Sequence, residues 1–444
     1  MKYVEQVKSI LLTFLVLLSI IFTLLIWNYR PEYGLIEETQ IEEVMVGEQK
    51  ELKDVLKPYR LLYRQNGQFF GTVSPSVLNE IYSYFPTWQT NELELINSNE
   101  KLSDERMNEV IRANNRITMF FNEEIPFQVF TNLLSFNNDK DLPESSFNRL
   151  ILDWSTVETN NQLELLFLNT EKRLLFRGYT NLRNTDRFLA EVVKPAEDYS
   201  PYVEVERDSL LSLYVSQNPI QSTRYTYLVD YISESLFKSI VFTDPKIVKP
   251  NKESEQSVRY TDNTSFMTVD TKNRILNYVY PLAESIAPIK SSKLLSDSFN
   301  YINDHGGFTA DYRFSSMNIG KHIVDYQLFL HGLPIYSNMT TSRISTTWGE
   351  NRIFRYRRPF YTIATANEIN REREQKELIS GEQVIEYLRN TKEYSFKDID
   401  EIVVGYHFTQ NEAFVLEPSW FIISNNVFKQ ISPERTGGIT DGLE

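Results

Sequence analysis

The sequence predicts an α+β protein: a single N-terminal transmembrane helix followed by a multi-domain ectodomain of antiparallel sheets with packed helices. Three observations lead to that class. The run from Ser9 to Tyr29 carries no charge, and at about 1.5 Å per residue it reaches roughly 30 Å, the hydrocarbon thickness of a bilayer. Beyond it, short β-branched and aromatic segments alternate with turn residues, as strands do. Among them lie a few stretches of helical period closed by glycine or proline.

The flanks orient the span. Lys2 and Lys8 precede it, whereas Glu32, Glu37, Glu38, Glu42 and Glu43 follow. The positive-inside rule therefore puts residues 1–8 in the cytoplasm and everything after residue 30 outside, a single-pass protein of the cell membrane. Trp27 and Tyr29 sit where aromatic rings favour the interface. A cleaved signal peptide also begins with a basic region and an apolar core, but this run exceeds a signal core, and Asn28-Tyr29-Arg30-Pro31-Glu32 offers no small-x-small cleavage site. Within residues 9–29, Ser9, Thr13, Ser19 and Thr23 form two small-x-x-x-small pairs inside an arc of roughly 120°. Such a face lets a partner helix approach closely. The same hydroxyls are equally able to turn back on their own helix carbonyls.

The remaining elements follow in chain order. Residues 30–50 are rich in Glu and read as a stalk. In an N-terminal α+β domain, 51–200, a strand is expected over Tyr59 to Tyr63 and a helix over Pro75 to Tyr84, with Ser74 as N-cap. Compact apolar strands follow at Arg116 to Phe121 and Phe147 to Trp154, then a hairpin of Leu163 to Leu168 with Arg173 to Arg177. A middle α+β domain, 201–284, has a strand over Ser222 to Val229 and a helix with the stripe Ile232, Leu236, Phe237, Ile240 and Val241. A charged loop, Lys249 to Gln256, precedes strands at Ser265 to Val269 and Ile275 to Tyr280. The C-terminal β-rich domain, 285–432, opens with a helix over Ser291 to Asp304 and Gly306 as its left-handed cap. Strands are expected at Ala310 to Phe314, Val324 to Leu330, Ile335 to Tyr336, Arg343 to Thr347 and Ile353 to Pro359. A capping box at Ser380 to Gln383 starts a helix burying Val384, Ile385 and Leu388, and strands at Ile399 to Phe408 and Ala413 to Ser424 complete the domain. Residues 433–444 read as a frayed tail.

Chemistry is conspicuous by what is missing. A net charge of -14 argues against a nucleic-acid partner. Without cysteine there is no disulfide, thiol nucleophile or thiolate metal site. His305, His322, His331 and His407 lack zinc-helix spacing, and His305 reads as a charge complementing a helix C-terminus. No G-x-S-x-G elbow, P-loop or G-x-G-x-x-G fingerprint occurs, and Gly306-Gly307 reads as a helix stop. The expected catalytic, cofactor-binding and metal residues are therefore none. Sixty carboxylates leave an acid pair open, so the alternative is a membrane-anchored envelope enzyme or a cell-wall-binding protein with an acidic groove. Arg355-Tyr356-Arg357-Arg358 alternates as a half-exposed strand does.

One resemblance spans nearly the whole chain. It is carried by the basic start and anchor ending in Trp27-Asn28, by Leu236-Phe237 to Asp244 with Tyr260, and by Phe299-Asn300-Tyr301-Ile302-Asn303-Asp304-His305-Gly306-Gly307-Phe308. Further on come Gly332-Leu333-Pro334, Thr347-Trp348-Gly349-Glu350, Tyr356-Arg357-Arg358, Gly405-Tyr406 and Pro418-Ser419-Trp420. In these segments the chain resembles the YycH family of membrane-anchored regulators of the Gram-positive WalK/WalR (YycG/YycF) two-component system. The resemblance implies one transmembrane helix in contact with membrane lipid and a three-domain extracytoplasmic region whose C-terminal part is YycI-like. It further implies a non-enzymatic role: with a YycI-like companion, binding a WalK/YycG-like sensor histidine kinase and adjusting signalling to cell-wall metabolism, in either direction. It brings no catalytic residues.

Overall fold

The computed structural model describes residues 8, 11–12, 14–19, 22–23, 45–98, 100–137, 142–227, 230–338, 342–362, 371–410 and 413–431. It divides into two units, Met1–Glu43 and Val44–Glu444. In the first, residues 14–19 and 22–23 are helical, and Phe14, Leu15, Val16, Leu17 and Phe22 are exposed. Among the described residues no helix is long and apolar enough to cross a membrane. The ends of the expected span, and the tail after Ile431, lie outside the described residues.

The second unit is α+β and built on two large sheets. The first sheet runs, neighbour by neighbour, through Leu213–Ser216, Ser200–Val205, Gln68–Thr72, Arg60–Gln65, Arg116–Pro126, Ser146–Asp153, Gln162–Asn169 and Leu174–Asn181, with Gln89–Thr90 and Ser135–Phe136 at the far edge. Its central strand Ser146–Asp153 is buried at every position, because both faces of the sheet are covered. On the front face lies an aromatic layer. Phe130 meets Phe147 at 4.9 Å, Phe147 meets Phe167 at 5.0 Å and Phe127 meets Phe176 at 5.2 Å, all edge-on, the geometry that brings the negative face of one ring to the positive edge of the next. The helix Pro75–Tyr84 adds Leu78, Ile81 and Tyr82 to this layer.

The back face packs on the second sheet. Tyr59, Leu62, Phe120, Ile151 and Leu168 share one buried cluster with Phe329, Tyr336, Val403 and Phe421. The second sheet runs Lys249–Ser254, Ser257–Thr261, Phe266–Asp270, Ile275–Val279, Ile353–Pro359, Arg343–Trp348, Ile323–Leu330, Leu333–Tyr336, Glu401–Gln410, Phe414–Ser424, Ile220–Tyr227, Arg371–Leu378. The helix Ser291–Asp304 buries Leu294, Leu295 and Ile302 against it. Its buried serine, Ser298, is satisfied by Thr346 at 2.7 Å and Tyr326 at 3.1 Å. The helix Gly381–Asn390 has the expected capping box at Ser380 and Gln383 and buries Val384, Ile385 and Leu388.

Strands from 201–284 are shared between the sheets: two extend the first, and Phe266–Asp270 and Ile275–Val279 continue into Ile353–Pro359. Residues 45–50, inside the expected stalk, are clasped by the end of the helix Ser291–Asp304. Val46 and Gly47 donate to the Gly306 carbonyl at 3.1 and 2.9 Å, Glu48 exchanges backbone bonds with Phe308, and the Asn303 amide both accepts from and donates to the Lys50 backbone at 2.9 Å.

Three expectations need correction. The charged segment from Lys249 is not a loop but the edge strand Lys249–Ser254, all six side chains exposed; main-chain pairing with Ser257–Thr261 holds it without an apolar face. Leu236 is 40% exposed while Phe237 and Val241 of the same short helix are buried, so the buried stripe is narrower than the period suggested. His305 is the C-cap of its helix rather than part of the last turn.

At the tip of the hairpin between Ile323–Leu330 and Leu333–Tyr336, Gly332 has φ of 84°, and a Cβ there would run into the carbonyl of Val73, just after the strand Gln68–Thr72. Gly332→Ala should therefore cost about 1–3 kcal/mol in urea unfolding of the full chain. Gly320→Ala, where a Cβ meets only the Asn318 side chain at 3.7 Å, should stay within about 0.5 kcal/mol.

Candidate functional site

A buried group of three charges lies between the sheets. Arg60, Phe120 and Arg149 are cross-strand neighbours in one row across three adjacent strands of the first sheet. Both guanidinium carbons lie over the Phe120 ring, at 4.3 and 4.4 Å from its centroid, close enough for each cation to feel the ring's negative face. Glu401, from the second sheet, reaches both. Its Oε2 accepts from Arg60 Nη2 at 3.0 Å and its Oε1 from Arg149 Nη2 at 2.6 Å. Arg60 Nη1 also donates to the Tyr214 carbonyl at 2.9 Å. The three side chains are 4%, 10% and 14% exposed.

Two cavities flank this triad. One, of about 310 Å³, is lined by Arg149, Arg207 and Glu401; the other, of about 580 Å³, by Arg60, Tyr202, Leu333 and Trp420. Tyr59 and Tyr214 line both and form the wall between them. Sequence reasoning missed the site, since Arg60, Arg149 and Glu401 are single members of three mostly apolar strands far apart in the chain. A charge in the first or fourth position of such a strand was the available signal.

The residues singled out from sequence are placed elsewhere. Ser9 and Thr13 lie outside the described residues. Ser19 and Thr23 are helical, and Thr23 Oγ1 donates to the Ser19 carbonyl at 2.8 Å. The histidines do not converge; no three His, Asp or Glu side chains among the described residues form a metal-holding group. Arg355 is exposed and Arg357 half-buried on the open face of the second sheet, while Arg358 points the other way. Arg358 is fully buried and donates through Nη1 to the Gly307 carbonyl at 2.9 Å and to Tyr356 Oη at 2.7 Å. Gly306 and Gly307, with φ of 96° and 69°, terminate the helix.

His305 caps its helix by a hydrogen bond rather than a charge. Its Nδ1 lies 2.9 Å from the Tyr301 carbonyl, and its ring stacks on Tyr301 at 3.8 Å. Burial disfavours the charged ring and lowers its pKa below the ordinary 6.5. His407 is shifted down by the same cause. For a base whose folded pKa is depressed, the unfolded chain binds more protons below 6.5, so the stability from these rings is full above that pH and is lost as pH falls towards the folded value. The urea midpoint should drop between about pH 7 and about pH 5, and His305→Gln should flatten that drop.

Removing the shared carboxylate leaves two buried cations with none. Glu401→Ala should cost on the order of 3–5 kcal/mol. The double replacement Arg60→Met and Arg149→Met in the Glu401→Gln background should recover most of that loss, because uncharged side chains of similar reach need no counter-charge.

Comparison with known proteins covers both sheets. The family model for the YycH protein N-terminal domain matches residues 5–195, and that for its C-terminal domain matches residues 211–436. The two-component system WalR/WalK regulatory protein YycH of Bacillus subtilis (strain 168) is 22% identical over 459 aligned positions, covering 99% of each chain. The crystal structure of YycH from Bacillus subtilis superposes with a TM-score of 0.74 at 19% identity, over 87% of this chain and 99% of that one. Both halves of the sequence match, in order and nearly end to end, and the chain belongs to the YycH family.

Proposed function

We propose that the chain is a non-enzymatic, membrane-anchored regulator of a WalR/WalK-type two-component system. The observation that carries this reading is its likeness, over 99% of its length, to a protein whose name is that regulatory role. In our reading residues 9–29 anchor the chain by one helix, with residues 1–8 in the cytoplasm and the rest outside. With a YycI-like companion it binds the sensor histidine kinase and so modulates cell-wall metabolism. The parts 51–200, 201–284 and 285–432 form the ectodomain, the last of them YycI-like.

A partner helix biases a kinase only by binding its signalling states with different affinity. A difference of about 1–3 kcal/mol, the usual size of allosteric coupling, changes the balance several-fold or more. Ser9, Thr13, Ser19 and Thr23 supply the face through which we expect that contact. The bond from Thr23 to the Ser19 carbonyl leaves that hydroxyl with acceptor capacity for a neighbouring helix.

Replacing residues 9–29 by an unrelated apolar helix should abolish co-purification of the kinase from membranes and change output of a response-regulator reporter several-fold. Thr13→Leu with Thr23→Leu should weaken the same co-purification while the ectodomain stays folded by circular dichroism. Unchanged kinase recovery and reporter output in both would reduce the segment to a plain anchor.

A further inference from the structure

We propose that the larger cavity between the two sheets takes a short, extended, uncharged segment of a partner polypeptide, which adds as a strand to the inner edge of residues 220–223. The pairing of the strand Ile220–Tyr227 supplies the observation. On one side it is bonded to Arg371–Leu378 along its whole length. On the other it meets Phe414–Ser424 only at Tyr225, Thr226 and Tyr227, because from Trp420 onward that neighbour pairs with Val427–Ile431 instead. Among the described residues no strand lies against this second edge from Ile220 to Thr223. The same four consecutive residues line the cavity of about 580 Å³. Side chains alternate between the two faces of a strand, so what four successive residues have in common is their main chain. They are accessible: Gln221 is exposed, and Ile220, Ser222 and Thr223 are half-buried.

An unpaired edge is a template for another chain, since its N–H and C=O groups stand ready to bond. The two outer strands of the same sheet are guarded against this. Lys249–Ser254 carries lysines and a proline, and Arg371–Leu378 is nearly all charged, devices that keep natural edges from pairing. Ile220-Gln221-Ser222-Thr223 has neither. The cavity sets the rest of the chemistry. Val215, Leu333, Pro334, Ile402 and Trp420 line it and offer apolar surface to the side chains of an added strand. Its charges are few: Arg60 is held by Glu401 and the Tyr214 carbonyl, and Asp198 and His331 are exposed. A charged side chain carried into this space would find no counter-charge, so an uncharged segment fits. Main-chain bonds to residues 220–223 then give affinity, and the apolar walls give specificity.

Because the chain has no cysteine, a single Ser200→Cys at an exposed lining position can carry an environment-sensitive fluorophore on the full chain in lipid nanodiscs. The probe is the uncharged peptide acetyl-Val-Thr-Val-Thr-Val-amide. It is compared with acetyl-Lys-Thr-Lys-Thr-Lys-amide and with two forms of itself methylated on alternate backbone nitrogens, one set or the other. We expect the uncharged peptide to saturate with a Kd below about 1 mM and the lysine peptide to bind about tenfold weaker or worse. One methylated form should lose about tenfold, because alternate N–H groups of a strand point to the same edge. Ile220→Trp, and Gln221→Trp at an exposed position where folding is least disturbed, should each weaken the response several-fold. The proposal is overturned if the uncharged peptide does not saturate, if the lysine peptide matches it, if both methylated forms bind like the parent, or if neither variant alters binding. Saturation only after removal of residues 432–444 would also overturn it, making the chain's own end the occupant.

Discussion

Glu401 holds two arginines that precede it by 341 and 252 residues, and the meeting of the two sheets depends on that arrangement. The first sheet offers a row, Arg60, Phe120 and Arg149, whose order is fixed by strand register. A slip of one residue in any of the three strands would turn its member of the row to the opposite face. The carboxylate then selects one placement of the second sheet over that row, because it must meet both guanidiniums at hydrogen-bond distance. The surrounding apolar cluster of Leu62, Phe120, Ile151, Phe329, Val403 and Phe421 supplies most of the cohesive free energy, since burial of apolar area is the larger and less directional term. The ion triad supplies position. Isolated, it would do little for stability, for the desolvation of three charges offsets much of their attraction.

Around this junction the two sheets are organised differently. The first is a closed problem in packing: strands covered on both faces, an aromatic layer in front and the second sheet behind. The second has one face covered by the helix Ser291–Asp304 and another that carries half-exposed Ser345, Arg357, Asn277 and Thr268 in a continuous cross-strand row. That difference shows in the aromatic residues: phenylalanines meet edge to face in the front layer of the first sheet, and Tyr59 and Tyr214 line both cavities of the junction. The charged residues that are buried are bound to one another or to backbone carbonyls, as with Arg358 and the Gly307 carbonyl.

What sequence alone revealed follows from how far each signal reaches. Elements with a local cause were readable: Pro75–Tyr84 from its proline start, Ser291–Asp304 from its stripe and following glycines, Gly381–Asn390 from its capping box, and the hairpin of Gln162–Asn169 with Leu174–Asn181 from its polar link. Elements held by a distant partner were not. Arg371–Leu378, nearly all charged, is a strand only because Ile220–Tyr227 pairs with it along its whole length, and Lys249–Ser254 is a strand for the same kind of reason. The helix Asp104–Arg112 carries few apolar residues, and its Met107, Val110 and Ile111 make sense only against the distant residues of the buried cluster they join. The site was invisible for the same cause, for three charges far apart in sequence have no local pattern.

The clasp on residues 45–50 has a mechanical side. Tension applied to the chain at Met45 would be borne first by the bonds to Gly306, Phe308 and Asn303, arranged as rungs at the C-terminal end of one helix. Arg358 braces those rungs from behind through the Gly307 carbonyl. A pull on the N-terminal side would therefore be felt in the second sheet before the first. The chain's own order would suggest the reverse, since the first sheet comes first in sequence; the load path is set by where the strand is tied down.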